Sequence, residues 1–346
     1  MNAQMDFMPQ EISSPGERLP TIRDIAEIAG VATSTVSRAL SNPQRVNART
    51  REKIERIAAE LHYVPSTQAR GLSSGRTGVI AVLVPDITNP FYFDIIRGTQ
   101  YQLKASGYTQ LLVDTEEATD VELDTLRKLR RSTDGVILAA SRLTDQQLSD
   151  AAARQPLVTI NRATADAPTV LIDTPGAVVQ ALEHLWSFGH RSVVYAAGPT
   201  SSWSNHRRWK AIEEAAAKRG MKATRIGPYA PTAFSGAAAA DGALSAGATA
   251  VIAFNDLLAI GMLDRFRERG VRVPEDVSIV GCDDIFGADF CNPPLTTISS
   301  PIEQAGRVAV SMLMAQLDPI RGGTPRKLAV MPTHLKVRAS TGPAKA

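Results

Sequence analysis

Apolar residues near the start of the chain recur with the period of a helix. Ile22, Ile25, Ala26 and Ala29 fall at i, i+3, i+4 and i+7, while Arg23, Asp24 and Glu27 take the other face, so the spacing predicts an amphipathic helix. Gly30 ends it, because glycine accepts the left-handed conformation past a helix terminus and Val31 can then plug back between helices. A second helix is predicted from about Ala32 or Thr33 to Leu40, with Val36, Ala39 and Leu40 inward. After the turn Ser41-Asn42-Pro43, Asn47 is a good N-cap for a third helix to about His62, whose stripe is Ile54, Ile57, Ala58 and Leu61. This arrangement reads as a helix-turn-helix.

Tyr63-Val64-Pro65 breaks the third helix. The stretch that follows could form two helical turns before a Gly/Ser linker, and a helix so short should be mostly unfolded alone. From Gly78 the period changes: Val79 to Val84 is a continuous apolar run, as in a parallel strand buried on both faces. A helix is predicted from Phe91 to Ser106, then the strand Gln110 to Val113, a helix 120–131, Val136 to Ala139, a helix 144–153, and Leu157 to Ile160. A second series is predicted to begin near Val170, with helices 176–188, 205–219, 235–246 and 257–269 and strands 193–196, 250–253 and 277–280. Repeated βα units require parallel strands with right-handed crossovers. The predicted fold is therefore a small all-α three-helix helix-turn-helix domain, followed by an α/β domain of two Rossmann-like lobes with a cleft between them. The helix from Ile302 to about Leu317 is expected to cross back to the first lobe.

The net charge of the 346 residues is only +3, but it is uneven. Residues 21–78 hold nine Lys and Arg against five Asp and Glu, which suggests a polyanion partner for the head alone. Cys282 and Cys291 lack metal-site spacing and read as thiols in a reducing cytoplasm. No apolar run is long enough to span a bilayer, and residues 1–20 lack a secretory h-region, so a disordered extension is expected there. No dinucleotide fingerprint, phosphate loop, nucleophile elbow or metal-spaced histidine pair appears, so no catalytic residue, metal or cofactor is expected and the chain is not read as an enzyme.

The segments TIRDIAEIAGVATSTVSRALSN, VNARTREKIERIAAELHYVPS and ARGLSSGRTGVIAVLVPDITNPFY are similar to the amino-terminal half of the LacI/GalR family of bacterial transcriptional regulators, and the resemblance continues to about Arg338. It implies a helix-turn-helix domain at 21–65, a hinge helix and linker at 66–77, a two-lobed effector-binding and dimerisation domain at 78–338, and a tail at 339–346. Thr33 and Ser34 correspond to the positions that set operator preference. Arg38 is expected to take a guanine bidentately, and Thr35, Ser37 and Arg49 to touch phosphates. Leu72 matches the hinge leucine wedged into the minor groove, where an apolar wedge unstacks one step and bends the duplex.

For the cleft, the resemblance carries over Asn89, Phe91 and Tyr92 after the first strand, Asn161 after Ile160, Asn255 in the N-D motif and Asp283 in the G-x-D-D motif. It also points to the arginine of Gly198 to Arg208, placed at Arg208 with Arg207 as its rival. Asp256 and Asp284 look better placed to cap helices than to bind. Where the family often has an aromatic residue this chain has Pro231, so a stacking platform is expected from Trp203 or Phe234. The implied partners are a double-stranded pseudo-palindromic operator, a small carbohydrate-like effector and a second copy of the chain, with no membrane. The leading expectation is a cytoplasmic repressor of carbohydrate-uptake or catabolism genes, released when effector fills the cleft. A corepressor-dependent purine or nucleoside sensor is the alternative, and a transporter's solute-binding protein a remote one.

Overall fold

Three helices share one small core in the head: α1 (Ile22–Ala29), α2 (Thr33–Ser41) and α3 (Ala48–Glu60). Ile25, Ala26, Ala29, Val36, Ala39, Ile54, Ile57 and Ala58 are buried together, and these are positions of the predicted apolar stripes. Asp24 fastens the start of α1 by accepting from the Thr21 backbone N–H at 2.6 Å and its hydroxyl at 2.7 Å. Gly30 ends that helix at φ +66°, and the Val31 N–H reaches back to the Ala26 carbonyl at 3.0 Å. Lys53 of α3 donates to the Ala29 carbonyl at 2.9 Å, placing a cation at the negative end of α1. Asn47 caps α3 by accepting from the Arg49 N–H at 3.0 Å.

The structure, a computed structural model, describes residues 20–41, 43–63, 76–318 and 327–345, and its contacts divide the chain into units 1–76 and 77–346. Most of the hinge segment, including Leu72, lies outside the described residues, as does nearly all of the expected N-terminal extension. The chain enters the second unit through Asp134, which accepts from the Thr77 N–H and hydroxyl and from the Gly78 N–H at 2.6, 3.0 and 2.8 Å.

Among the described residues that unit holds twelve strands: β1 (Val79–Val84), β2 (Thr109–Asp114), β3 (Gly135–Ala139), β4 (Leu157–Ile160), β5 (Thr169–Ile172), β6 (Ser192–Ala196), β7 (Lys222–Ile226), β8 (Ala250–Ala253), β9 (Ser278–Cys282), β10 (Thr296–Ser299), β11 (Leu328–Met331) and β12 (His334–Lys336). The first sheet runs β2-β1-β3-β4-β5-β11 and is wholly parallel. The second runs β7-β6-β8-β9-β10-β12 and is parallel except for β10 with β12. Helices α4 (Phe91–Ala105), α5 (Thr119–Leu129), α6 (Asp145–Ala152) and α11 (Ile302–Leu317) belong to the first lobe. The second lobe has α7 (Thr174–Ser187), α8 (Trp203–Lys218), α9 (Gly236–Ser245) and α10 (Asp256–Glu268).

The chain passes between lobes after β5, after β10 and between β11 and β12. As the sequence predicts, α11 returns to the first lobe, packing on α4 so closely that a Cβ at Gly98 would sit 2.0 Å from the Glu303 carbonyl oxygen. Three differences stand out. The strand near Val170, expected to open the second series, is β5 of the first sheet, and the crossing comes after it, where Asp173 caps α7. Strands β7, β10 and β12 have no apolar run to announce them; β11 has one, Leu328–Met331, but it stands outside the βα alternation. Finally, residues set apart as a tail are part of the second lobe: the Ser340 hydroxyl accepts from the Thr296 N–H at 2.8 Å and donates to the Ile279 carbonyl at 2.7 Å, and the Ala344 N–H meets the Phe188 carbonyl at 2.8 Å.

Candidate functional site

On the head, one face of α2 presents most of the predicted DNA-facing side chains. Thr33, Ser34 and Arg38 are exposed, and Thr35 and Ser37 are half-buried. Arg38 lies along the helix, its Nε 3.1 Å from the Ser34 carbonyl and one terminal nitrogen 3.3 Å from the Ser34 hydroxyl. Arg49 is exposed in the first turn of α3, where backbone N–H groups and a cation favour an anion. Val36 and Ala39, on the opposite face of α2, anchor the helix in the core.

In the second unit, ligands of such sheets bind outside the carboxyl ends of the strands, beside the switch points. Asn89, Phe91, Tyr92, Asn161, Arg208, Asn255 and Asp283 all line one inner pocket there, which in this conformation is closed down to a cavity of about 20 Å³. Asn89 shapes its floor by accepting from the Phe91 N–H at 3.1 Å, and the Phe91 and Tyr92 rings meet edge to face at 5.1 Å. Burial raises the Tyr92 pKa, so its hydroxyl stays a neutral donor. Asn161, at φ +56°, has a buried Oδ1 with no hydrogen-bond donor among the described residues.

From the second lobe, Arg208 is almost fully buried while Arg207 is exposed over the Trp203 ring at 5.5 Å. The Arg208 guanidinium donates to the Phe254 carbonyl and lies 5.0 Å from the Phe254 ring centre, leaving its Nε buried without a partner among the described residues. Its approach is set by Asn205, which accepts from the Tyr195 hydroxyl at 2.9 Å and the Gly198 N–H at 3.0 Å and so fixes the loop before α8. Asp283 has its carboxyl pushed up to about 8 by burial, which makes it mainly a neutral acid near pH 7, able to donate as well as accept.

Several expectations are corrected. Asn255 is itself the N-cap of α10, accepting from the Leu258 N–H at 3.0 Å and donating to the Pro231 carbonyl at 3.0 Å. Asp256 caps nothing: it is buried between the Thr297 hydroxyl at 2.5 Å and the Ile285 N–H at 3.0 Å. Asp284 also caps no helix but receives Arg338 at 2.6 Å and Ser299 at 2.9 Å, securing the chain after β12. Trp203 and Phe234 do not line the inner pocket; Phe234 is 95% exposed, and the aromatic walls are Phe91, Tyr92 and Phe254.

Sequence reasoning missed Glu117 and Arg142, which also line the pocket. Arg142 Nε donates to Glu117 Oε2 at 2.6 Å, and the Arg142 N–H donates to the buried Glu122 at 3.0 Å. Both follow first-sheet strands, so the carboxyl-end rule applied to every strand would have found them. The pocket thus combines aromatic walls with converging donors and acceptors, a lining suited to a small hydroxylated ring compound. Among the described residues, no helix is long and apolar enough to cross a membrane and no group of three His, Cys, Asp or Glu could hold a metal ion.

Residues 21–66 match the profile of bacterial regulatory proteins of the lacI family, and residues 182–341 that of a periplasmic binding protein-like domain. The HTH-type transcriptional repressor CytR of Escherichia coli (strain K12) is 34% identical over 337 residues, covering 94% of this chain and 97% of the relative. The crystal structure of the Lac repressor dimer bound to operator and the anti-inducer ONPF superposes with a TM-score of 0.83 at 26% identity, over 94% of this chain and all of that one. The transcriptional regulator CelR in complex with cellobiose matches with a TM-score of 0.68 at 30% identity, over 93% of this chain and 99% of that one. With the helix-turn-helix head and the two-lobed sensor both in place, the chain belongs to the LacI family of bacterial regulators and is a DNA-binding transcriptional regulator.

Proposed function

We propose that this chain is a repressor of carbohydrate-uptake or catabolism genes, working in the cytoplasm as a homodimer on a pseudo-palindromic operator and released when a small carbohydrate-like effector fills the inner pocket. The observation that carries this reading is the convergence on one pocket of Asn89, Phe91, Tyr92, Asn161, Arg208, Asn255 and Asp283, the residues that the family resemblance implies. Its chemistry suits a polyol. A guanidinium offers a planar fork to neighbouring hydroxyls, Asp283 can donate or accept, Asn161 Oδ1 asks for a hydroxyl proton, and the rings cover an apolar sugar face. The CelR relative holds cellobiose, and the Lac repressor relative is a dimer on its operator. The exposed, edge-packed Phe286 and Phe290 rings, 5.0 Å apart, supply apolar surface that a second copy would cover. On the head, Thr33, Ser34 and Arg38 read base edges while Thr35, Ser37 and Arg49 hold phosphates.

The test is a thermal-shift screen of pentoses, hexoses, disaccharides, sugar acids and nucleosides against the full chain, followed by gel-shift of operator DNA with each binder. A ligand at 100 times its Kd stabilises the native state by ~2.7 kcal/mol. A carbohydrate should raise the melting temperature, lose that effect in Arg208→Met and weaken the DNA complex. Stabilisation by nucleosides alone, or a complex strengthened by the binder, would replace this reading with the corepressor one.

A further inference from the structure

We infer a second ligand site, for a small hydroxylated anion such as a phosphorylated polyol, in the groove between α5 and α6 on the first lobe. Two stripes at helical spacing face each other across it: Leu123, Leu126, Arg127 and Arg130 from α5 and its end, and Gln147, Asp150, Ala151 and Arg154 from α6 and its end. Each stripe follows i, i+3, i+4, i+7, so each is one continuous helix face. Together they line a groove of about 250 Å³.

The chemistry of this groove is lopsided. Arg127, Arg130 and Arg154 are exposed cations, and the neighbouring carboxylates are engaged elsewhere. Asp124 meets Lys128 at 2.5 Å and Asp145 meets Arg162 at 2.7 Å, while Asp150, which accepts from Gln146 at 3.1 Å, is the one carboxylate among the lining residues, so three cations stand against one acid. Guanidiniums on opposing walls suit an oxyanion, which each fork can grip through two parallel hydrogen bonds. The floor includes Leu126, only 5% exposed, which offers apolar cover to a carbon skeleton. Gln155 supplies an independent sign of a ligand: its Oε1 is buried and has no donor among the described residues. A buried acceptor without a donor is costly, and a hydroxyl on the anion would satisfy it. The same helix α5 carries Glu122, which holds the Arg142 backbone beside the inner pocket. A ligand bridging the two stripes therefore grips an element that also shapes the inner pocket.

Isothermal titration calorimetry of the full chain with ribose 5-phosphate tests the site, with inorganic phosphate and ribose run separately. Ribose 5-phosphate should bind more tightly than inorganic phosphate, and Arg127→Ala/Arg154→Ala should weaken it by at least about tenfold. Arg131→Ala, an exposed neighbour that does not line the groove, should bind as the parent does. Arg208→Met, which alters the inner pocket, should leave the ribose 5-phosphate heat in place, separating this site from the effector pocket. Equal affinity in the parent and the double variant, equal loss in Arg131→Ala, or no heat with ribose 5-phosphate would each overturn the inference.

Discussion

Replacing Asp283 by Asn asks whether the carboxyl in the inner pocket is held neutral by its surroundings. Burial pushes its pKa from 3.8 to about 8, against the opposing pull of Arg208. A group that binds its proton more tightly in the folded chain stabilises the fold fully below its unfolded pKa and loses that contribution as pH rises through the folded one. With those two values, linkage gives a loss of ~1 kcal/mol between pH 7 and 8 and ~2.3 kcal/mol between pH 6 and 8. Asp256, raised to about 6 by burial, loses most of its contribution below pH 7. His184 and His190 are depressed by burial, so their effect has the opposite sign and is complete near the unfolded histidine pKa. The interval from pH 7 to 8 therefore reports chiefly on Asp283.

Asparagine keeps the shape, has no proton to lose and, differing from aspartate only at the end of the side chain, meets the same backbone at φ +124°. The measurement is urea unfolding at pH 7 and pH 8, followed by tryptophan fluorescence. Trp186, Trp203 and Trp209 all lie in the second unit, so the signal is blind to the head. The parent should lose ~1 kcal/mol across this interval and the variant should stay nearly level. A parent slope that survives intact in Asp283→Asn would show that this carboxyl is ionised throughout, and the argument for a neutral donor in the pocket would fail.

Arg38→Ala should weaken operator binding by ~1–3 kcal/mol, concentrated at one base position; an unchanged half-site preference in a binding-site selection would remove Arg38 from base recognition. Ile54→Ala empties a fully buried position in the core of the head and should cost ~2–5 kcal/mol there. Operator binding should then fall while the tryptophan unfolding midpoint stays in place, and a shifted midpoint would mean that the two units do not unfold independently.

What could be read in advance followed from short-range pattern. Ile25, Ala26, Val36 and Ile54 declare the head because a helical period is written within a few residues; β1 and β8 declare themselves as unbroken apolar runs, and β4 as a run interrupted only by Thr159. The edge strand β7 begins at Lys222 and contains Thr224 and Arg225, so its hydropathy resembles a loop. Strand β10 hides for another reason: Thr296 and Thr297 are fully buried because distant partners satisfy them, Ser340 for the Thr296 N–H and Asp256 for the Thr297 hydroxyl. That second bond also explains the misjudged cap. Asp256 stands beside a helix start in sequence, but a partner 41 residues away claims its carboxyl. Glu117 and Arg142 escaped because no motif contained them, although their places after β2 and β3 were readable.

The inner pocket holds two polar atoms whose needs the protein does not meet among the described residues, Asn161 Oδ1 from the first lobe and Arg208 Nε from the second. Each such buried atom costs ~1–3 kcal/mol. Turning a 99:1 equilibrium into 1:99 needs ~5.5 kcal/mol of differential affinity. One effector that donates to Asn161 and accepts from Arg208 would recover ~2–6 kcal/mol in the conformation where the lobes bring both atoms within reach, and little where they do not. In the proposed dimer, two such pockets would recover ~4–12 kcal/mol, a range that includes the required swing. Relief of these unmet hydrogen bonds, which sit on opposite lobes, is therefore of the size that the proposed effector response requires.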